Sequence, residues 1–186
     1  MKKLVFISLL IFLAASSAVY GQRRSFATRS NVTGGLKPGL LNITEINGGL
    51  GYYTIGRDYS KRFISLTSVF GAGFAKNFTG GIGAGVSLYD EGALFPLFAD
   101  FRYYIILGQM RAFIFGDAGI LLNSTRKVGE TVIFVSPGAG ISLPLGDNLS
   151  ANFGAGLFTQ FRQKDYGMGE GSDRFINVRL GIIYLF

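Results

Sequence analysis

The 186-residue sequence contains no cysteine, no histidine and no tryptophan, and only 4 prolines. Without cysteine the chain has no disulfide framework and no thiolate metal site. Without histidine it lacks the usual general base, the Ser–His and Cys–His catalytic dyads, and most kinds of zinc site. We therefore expect no catalysis, no metal and no other cofactor.

Positive charge is concentrated at the start of the chain. The formal net charge is +7, but six of the 18 basic residues and none of the 11 acidic residues precede residue 39. These six residues are Lys2, Lys3, Arg23, Arg24, Arg29 and Lys37. The remaining sequence is nearly neutral, so it offers no basic stripe on a folded face, and nucleic acid is not an expected partner.

Residues 1–21 have the pattern of a secretory signal peptide. Lys2 and Lys3 precede an apolar run over 4–15, and mostly small residues follow it. An N-terminal transmembrane anchor is the alternative, but the run is shorter than the about 20 residues that a spanning helix needs. We expect cleavage after residue 21, a flexible basic lead-in over 22–38, and a single folded domain over 39–186.

The domain is a series of segments in which apolar residues alternate with small or polar ones, which is the pattern of β-strands. Eight strands are predicted, over 40–53, 62–75, 78–89, 94–106, 110–122, 132–143, 149–162 and 174–186. Tight turns and longer polar links alternate between them. This layout is typical of an up-and-down membrane barrel with both ends on the short-turn side.

Charged residues within the strands fall on one face, and their distribution predicts which face points inward. The set on the less apolar face is Glu45, Asp100, Arg102, Arg111, Asp117, Arg162 and Arg179. A lipid-facing Arg or Lys near mid-membrane costs about 2–4 kcal/mol, so a bilayer would impose this separation. A soluble lipocalin-like barrel is the alternative, and its apolar face would point inward around a ligand.

Pairs of glycines two residues apart lie on the same face as the charges, for example Gly49 with Gly51 and Gly138 with Gly140. A narrow eight-stranded barrel has room inside only for packed side chains. We therefore expect these glycines to make room for aromatic rings from other strands. The rings are those of Phe98, Phe113, Phe115, Phe134 and Phe158. A phosphate-binding loop is a poor alternative, because no helix follows any of the pairs.

Two prolines, Pro96 and Pro137, interrupt predicted strands. A proline cannot donate a backbone hydrogen bond to a neighbouring strand, and a closed barrel has no edge strand on which to place it. Each proline is therefore predicted to lie at a bulge or at a strand end.

The last segment carries the clearest family resemblance. One of its faces is entirely apolar or aromatic and consists of Ile176, Val178, Leu180, Ile182, Tyr184 and Phe186. An amphipathic strand that ends in Phe, with Tyr two positions earlier, resembles the C-terminal signal of Gram-negative outer-membrane β-barrel proteins. The segment LFPLFADFRYY over 94–104 and the segment PGAG over 137–140 are similar to stretches of the Bacteroidetes-type outer-membrane β-barrel domain family.

This resemblance, which is of the OmpA/OmpX-like kind, implies an all-β fold. The fold would be an eight-stranded, antiparallel, up-and-down transmembrane β-barrel after an N-terminal signal peptide. The resemblance also implies that Leu180, Ile182, Tyr184 and Phe186 form a signal read by the barrel-assembly machinery. Expected partners are outer-membrane lipid and the export and assembly machinery, while the partners of the longer loops stay open.

A pair of acids is the one candidate for chemistry. If the hairpin between the fourth and fifth strands is symmetric, Leu107 pairs with Met110, and Asp100 lies opposite Asp117. Two carboxylates at such a short separation either share a proton or need cations between them. One interpretation is an acid/base pair, as in an outer-membrane hydrolase. The interpretation we favour is an internal ion network in which arginines neutralise the acids, because no nucleophile–base pair accompanies them.

The expected function is that of a monomeric integral protein of the bacterial outer membrane. Its lumen would be filled by side chains, and its role would be structural or one of surface interaction through the longer loops. Two alternatives stay open: a small pore or conduit for apolar molecules, suggested by the Phe-rich lumen, and a soluble lipocalin-like binding barrel.

Overall fold

A computed structural model describes residues 38–53, 61–75, 77–90, 92–123, 132–162 and 171–186. The predicted signal peptide and almost all of the predicted lead-in lie outside these residues. The described chain forms eight β-strands: β1 Gly39–Tyr53, β2 Arg62–Ala75, β3 Phe78–Tyr89, β4 Gly92–Leu107, β5 Met110–Asn123, β6 Val132–Pro144, β7 Leu149–Arg162 and β8 Gly171–Leu185. None of the described residues belongs to a helix that is long and apolar enough to cross a membrane.

Each strand pairs in antiparallel fashion with its neighbour in sequence, and β1 also pairs with β8, which closes the barrel. Closure gives every strand two hydrogen-bonded neighbours and removes the exposed sheet edge. The structure thus confirms the predicted eight-stranded antiparallel barrel. The bounds of β2, β3 and β7 are as predicted. The largest difference is in β8, which begins at Gly171 rather than at 174 because its backbone pairing with β7 continues past the amphipathic pattern.

The prediction that each proline requires a bulge or a strand end is wrong. Both prolines lie within strands, and each keeps a partner on one side: Pro96 pairs with Leu121 of β5, and Pro137 pairs with Gly116 of β5. On the other side, toward β3 and β7 respectively, the ladder omits two pairs and then resumes in the same register. The missing N–H is therefore accommodated by a local gap in one ladder and needs no shift of register.

The two faces of the sheet differ sharply in exposure. In β8, Ile176, Val178 and Leu180 are 43–58% exposed, whereas Phe175 is fully buried and Arg179 is 6% exposed. The same alternation recurs around the barrel, so that apolar side chains cover the outer wall and charges lie inside. A soluble lipocalin-like barrel has the opposite arrangement.

Glycines on the inner face make room for aromatic rings, as predicted. A Cβ atom at Gly49 would overlap with the ring of Phe63, and one at Gly83 would overlap with the ring of Phe98. A Cβ atom at Gly138 would meet both the ring of Phe115 and the backbone of β7. The interior is therefore packed by small residues on some strands facing large ones on others.

This packing predicts a difference between two adjacent glycines of β1. Gly49→Ala should lower the free energy of unfolding by about 1–3 kcal/mol, because the ring of Phe63 is held among three other rings and cannot move aside. Gly48→Ala, on the outer wall with no atom within 4 Å of the added Cβ, should change it by only about 0.5 kcal/mol. Urea unfolding in detergent, followed by far-UV circular dichroism, measures both values. Equal effects would show that the interior is loosely packed.

Candidate functional site

Four strands bring five charged side chains into one layer inside the barrel. β1 supplies Glu45, β4 supplies Asp100 and Arg102, β5 supplies Asp117, and β8 supplies Arg179. Leu107 pairs with Met110, so the register of the β4–β5 hairpin places Asp100 directly opposite Asp117 as expected. The left-handed conformation of Gly108, with φ of 64°, forms the tight turn that sets this register. All five charged side chains are buried.

Arg102 lies between two acids. Its Nη1 donates to Glu45 Oε1 at 2.6 Å, and its Nη2 donates to Glu45 Oε2 at 3.0 Å. The same guanidinium donates to Asp100 through Nε and Nη2 at 2.8–3.1 Å. These are bidentate, charge-assisted hydrogen bonds, which are strong and geometrically specific. Arg102 therefore ties β4 to β1 across the lumen.

Arg179 holds the other half of the network. Its Nη2 lies 2.6 Å from Asp117 Oδ2 and donates to Ser136 Oγ at 2.6 Å. Its Nη1 lies 3.6 Å from Glu45 Oε2, so Glu45 contacts both arginines. The guanidinium carbon is 4.0 Å from the centroid of the Phe115 ring, which adds a cation–π contact. The five side chains thus form one continuous ion network.

The other two residues predicted for the ion network, Arg111 and Arg162, are not among these five. Arg111 is on the same inner face of β5 but next to the short β4–β5 turn, four residues from Phe115, and it is half-buried. Arg162 is the last residue of β7, and its side chain lies outside the described part of the structure. The contacts of Ser136 and Phe115 with Arg179 were missed. Alternation places both residues inside, but it carries no signal for which strands meet across the lumen.

Apolar layers lie on both sides of the ion network. On the long-link side, rings pack with centroid separations of 5.0–6.4 Å. These rings are those of Phe63, Tyr89, Phe98, Phe134, Phe158 and Phe175. On the short-turn side the buried residues include Leu41, Ile43, Val69 and Ile183. Within the described residues, the lumen is filled rather than open.

A small cavity of about 30 Å³ remains between the charged layer and the aromatic layer. It has room for one or two water-sized species. Asp117, Arg179, Asn47 and Asn177 contribute to its lining. The cavity is far smaller than an organic ligand requires.

The geometry favours the ion network over the acid/base pair. Asp100 and Asp117 are each bound to an arginine and buried under packed side chains, so neither is presented to a substrate. The described residues contain no group of three or more acidic, His or Cys side chains arranged to hold a metal ion. What the arrangement can do is hold opposite walls of the barrel together.

Sequence comparisons give no match, either to a protein-family model or to a curated protein. Solved structures do match. The chain is similar to Neisserial surface protein A, with a TM-score of 0.61 and 12% identity over 79% of this chain and 97% of that chain. It is also similar to the N-terminal β-barrel domain of Pseudomonas aeruginosa OprF, with a TM-score of 0.49 and 13% identity over 80% and 100%. A third match is OprG from the same organism, with a TM-score of 0.48 and 14% identity over 82% of this chain and 98% of that chain.

At 12% identity, the likeness to the Neisserial protein establishes the fold and not the role. The similarity to the Bacteroidetes-type family stays a prediction. The closed eight-strand topology and this structural match agree with each other. The chain has the fold of the small eight-stranded outer-membrane β-barrel proteins.

Proposed function

We propose that this protein is an integral protein of the bacterial outer membrane whose closed barrel acts as a structural or surface-interaction element without catalysis. The barrel is inserted as a monomer by the export and barrel-assembly machinery. Its longer links face the outside of the cell. The observation that carries the proposal is the outer wall, which is apolar over most of the length of its strands while the network charges are buried inside.

An apolar wall of this extent is unsuited to water. Soluble monomers rarely expose contiguous apolar patches larger than roughly a few hundred Å². Here exposed Leu, Ile, Val, Phe and Tyr side chains occur on all eight strands. Two arginines, Arg62 and Arg174, lie at the long-link ends of β2 and β8, where a charge can reach the interface. Arg174 lies 5.6 Å from the ring of Tyr53, a pairing suited to the headgroup region.

One polar cluster on the outer wall also fits lipid. Asn42 donates to Ser68 Oγ and to the backbone oxygen of Val69 at 3.0–3.1 Å. Thr44 donates to Asn42 Oδ1 at 3.0 Å and lies 3.4 Å from Ser68 Oγ. In hydrocarbon, polar groups must be satisfied within the protein, and this cluster meets that requirement.

Exposed aromatic side chains near the short-turn end add a second feature of membrane barrels. They are Phe70, Phe74, Phe78, Tyr103, Tyr184 and Phe186. Rings at this level match the aromatic girdle that flanks the apolar band of such barrels. Tyr184 and Phe186 also belong to the proposed assembly signal with Leu180 and Ile182, and all four side chains point outward.

The competing function is a small pore or conduit for apolar molecules, which the aromatic layer of the lumen suggests. The proposal predicts that the purified protein migrates as a compact species on an unheated SDS gel and shifts on boiling. It also predicts that the protein inserts into planar bilayers without discrete conductance steps, because the described lumen is filled. Regular channel openings would support the pore. Recovery in the aqueous fraction without detergent would contradict membrane insertion altogether.

A further inference from the structure

The cavity beside the ion network is lined by an unusual number of oxygen-bearing side chains. They are Asn47, Ser65, Thr67, Ser87, Asp117 and Asn177. Each is at most 7% exposed. Aromatic rings, Pro96 and the cationic side chain of Arg179 complete the lining. The cavity is therefore lined by both polar and aromatic side chains, and its oxygens come from five different strands.

Several of these oxygens lack a hydrogen-bond partner. Within the described protein, Asn47 Oδ1, Asp117 Oδ1 and Asn177 Oδ1 are buried and accept no hydrogen bond. A buried acceptor that is left unsatisfied is costly, and such groups in a folded protein usually mark a water or an ion. Three such acceptors around one small pocket indicate a bound species that donates hydrogen bonds or carries positive charge.

The charge of the ion network points to the same kind of species. Its described members are three acids, Glu45, Asp100 and Asp117, and two arginines, so with all three acids ionised the network carries one excess negative charge. Asp173 is the next buried acid. It lies opposite Gln160 in the β7–β8 backbone register, beyond Phe175, and does not belong to this layer. An uncompensated charge in a low-dielectric interior is strongly unfavourable.

We propose that this cavity binds one small monovalent cation, Na⁺ or K⁺, which supplies the positive charge that the network lacks. Carbonyl, hydroxyl and carboxylate oxygens are the ligands of hard cations. The volume of about 30 Å³ accommodates the ion with one water. That water can accept a hydrogen bond from Arg179 Nε, the other unpartnered polar atom of the pocket. A divalent ion fits less well, because the pocket presents a single carboxylate.

The test compares thermal unfolding of the full chain in detergent, followed by far-UV circular dichroism, in NaCl, in KCl and in choline chloride at equal ionic strength. Na⁺ or K⁺ should raise the unfolding midpoint in a saturable way. At ten times its dissociation constant, the ion shifts the folding equilibrium about elevenfold. Asp117→Asn makes the network neutral and should abolish the difference between salts. Asp90→Asn, which removes an acid from an exposed ion pair with Arg62, should retain it.

The difference between salts is measured within each variant, so a general loss of stability does not affect the comparison. If Asp117→Asn does not fold, Asn177→Leu replaces it, and a higher cation concentration should then be needed for the same rise. Identical midpoints of the native chain in all three salts would overturn the proposal, and this is also the result if Asp100 and Asp117 share a proton instead. A salt difference that survives unchanged in Asp117→Asn would overturn it as well.

Discussion

Replacing Arg102 with leucine is expected to lower the free energy of unfolding by about 3–5 kcal/mol. The side chain is 1% exposed and donates to Glu45 and Asp100, both of which would remain buried in the lumen without it. Leaving a buried charge without its partner costs far more than the pair itself contributes. Urea unfolding in detergent gives the magnitude, and an unheated SDS gel should show that less of the compact form survives.

The matched control is Arg62→Leu. Arg62 also pairs with an aspartate, with 3.2 Å between Nε and Asp90 Oδ1, but the two side chains are 74% and 48% exposed. Loss of an exposed pair costs about 0–1 kcal/mol. Adding Glu45→Gln and Asp100→Asn to Arg102→Leu should recover part of the loss, because the unpaired charges are then removed. If Arg102→Leu costs no more than Arg62→Leu, the network does not hold the barrel together.

The strands and their inward faces were predictable because a barrel imposes strict alternation on every strand. Side chains of a strand alternate with a period of two, and the lumen and the outer wall accept different residue types. Tight turns add information on register. The turn at Gly108 fixed the pairing of Leu107 with Met110, and from it the position of Asp100 opposite Asp117.

The partners within the network were not predictable from the sequence in the same way. Glu45 and Arg102 are 57 residues apart, on strands that are not neighbours in the barrel. Which side chains meet across the lumen depends on the stagger of strands around the closed sheet. Alternation within single strands carries no record of that stagger, so it identified inward-facing arginines without showing which of them bind the acids.

The prolines show a different limit. A proline within a strand lacks a backbone donor and was therefore expected at a bulge or at a strand end. In the closed barrel Pro96 and Pro137 each retain one intact ladder, and the other ladder loses two pairs without a change of register. A long sheet with paired strands on both sides can hold its register across such a gap, because the flanking pairs fix it.

The second large effect concerns the outer wall, where Ile82→Arg is expected to lower the free energy of unfolding from lipid vesicles by about 2–4 kcal/mol. Ile82 is 69% exposed, lies within β3, and pairs with Phe70 and Ala99 on its two sides. It touches little that the substitution could disturb. In water, an arginine at such an exposed site would change stability by only about 0.5 kcal/mol. The size of the loss therefore reports the solvent outside the barrel.

Leu145→Arg is the matched control for this position. Leu145 is 62% exposed, similar to Ile82, but it lies in the turn between β6 and β7 rather than within a strand. Near the interface, an arginine costs about 0–1 kcal/mol, because the charge reaches water or headgroups. Unfolding by guanidinium chloride, followed by tyrosine fluorescence in vesicles, compares the two variants directly. If Ile82→Arg costs no more than Leu145→Arg, the wall around Ile82 does not face hydrocarbon, and the case for a membrane-spanning barrel loses its main support.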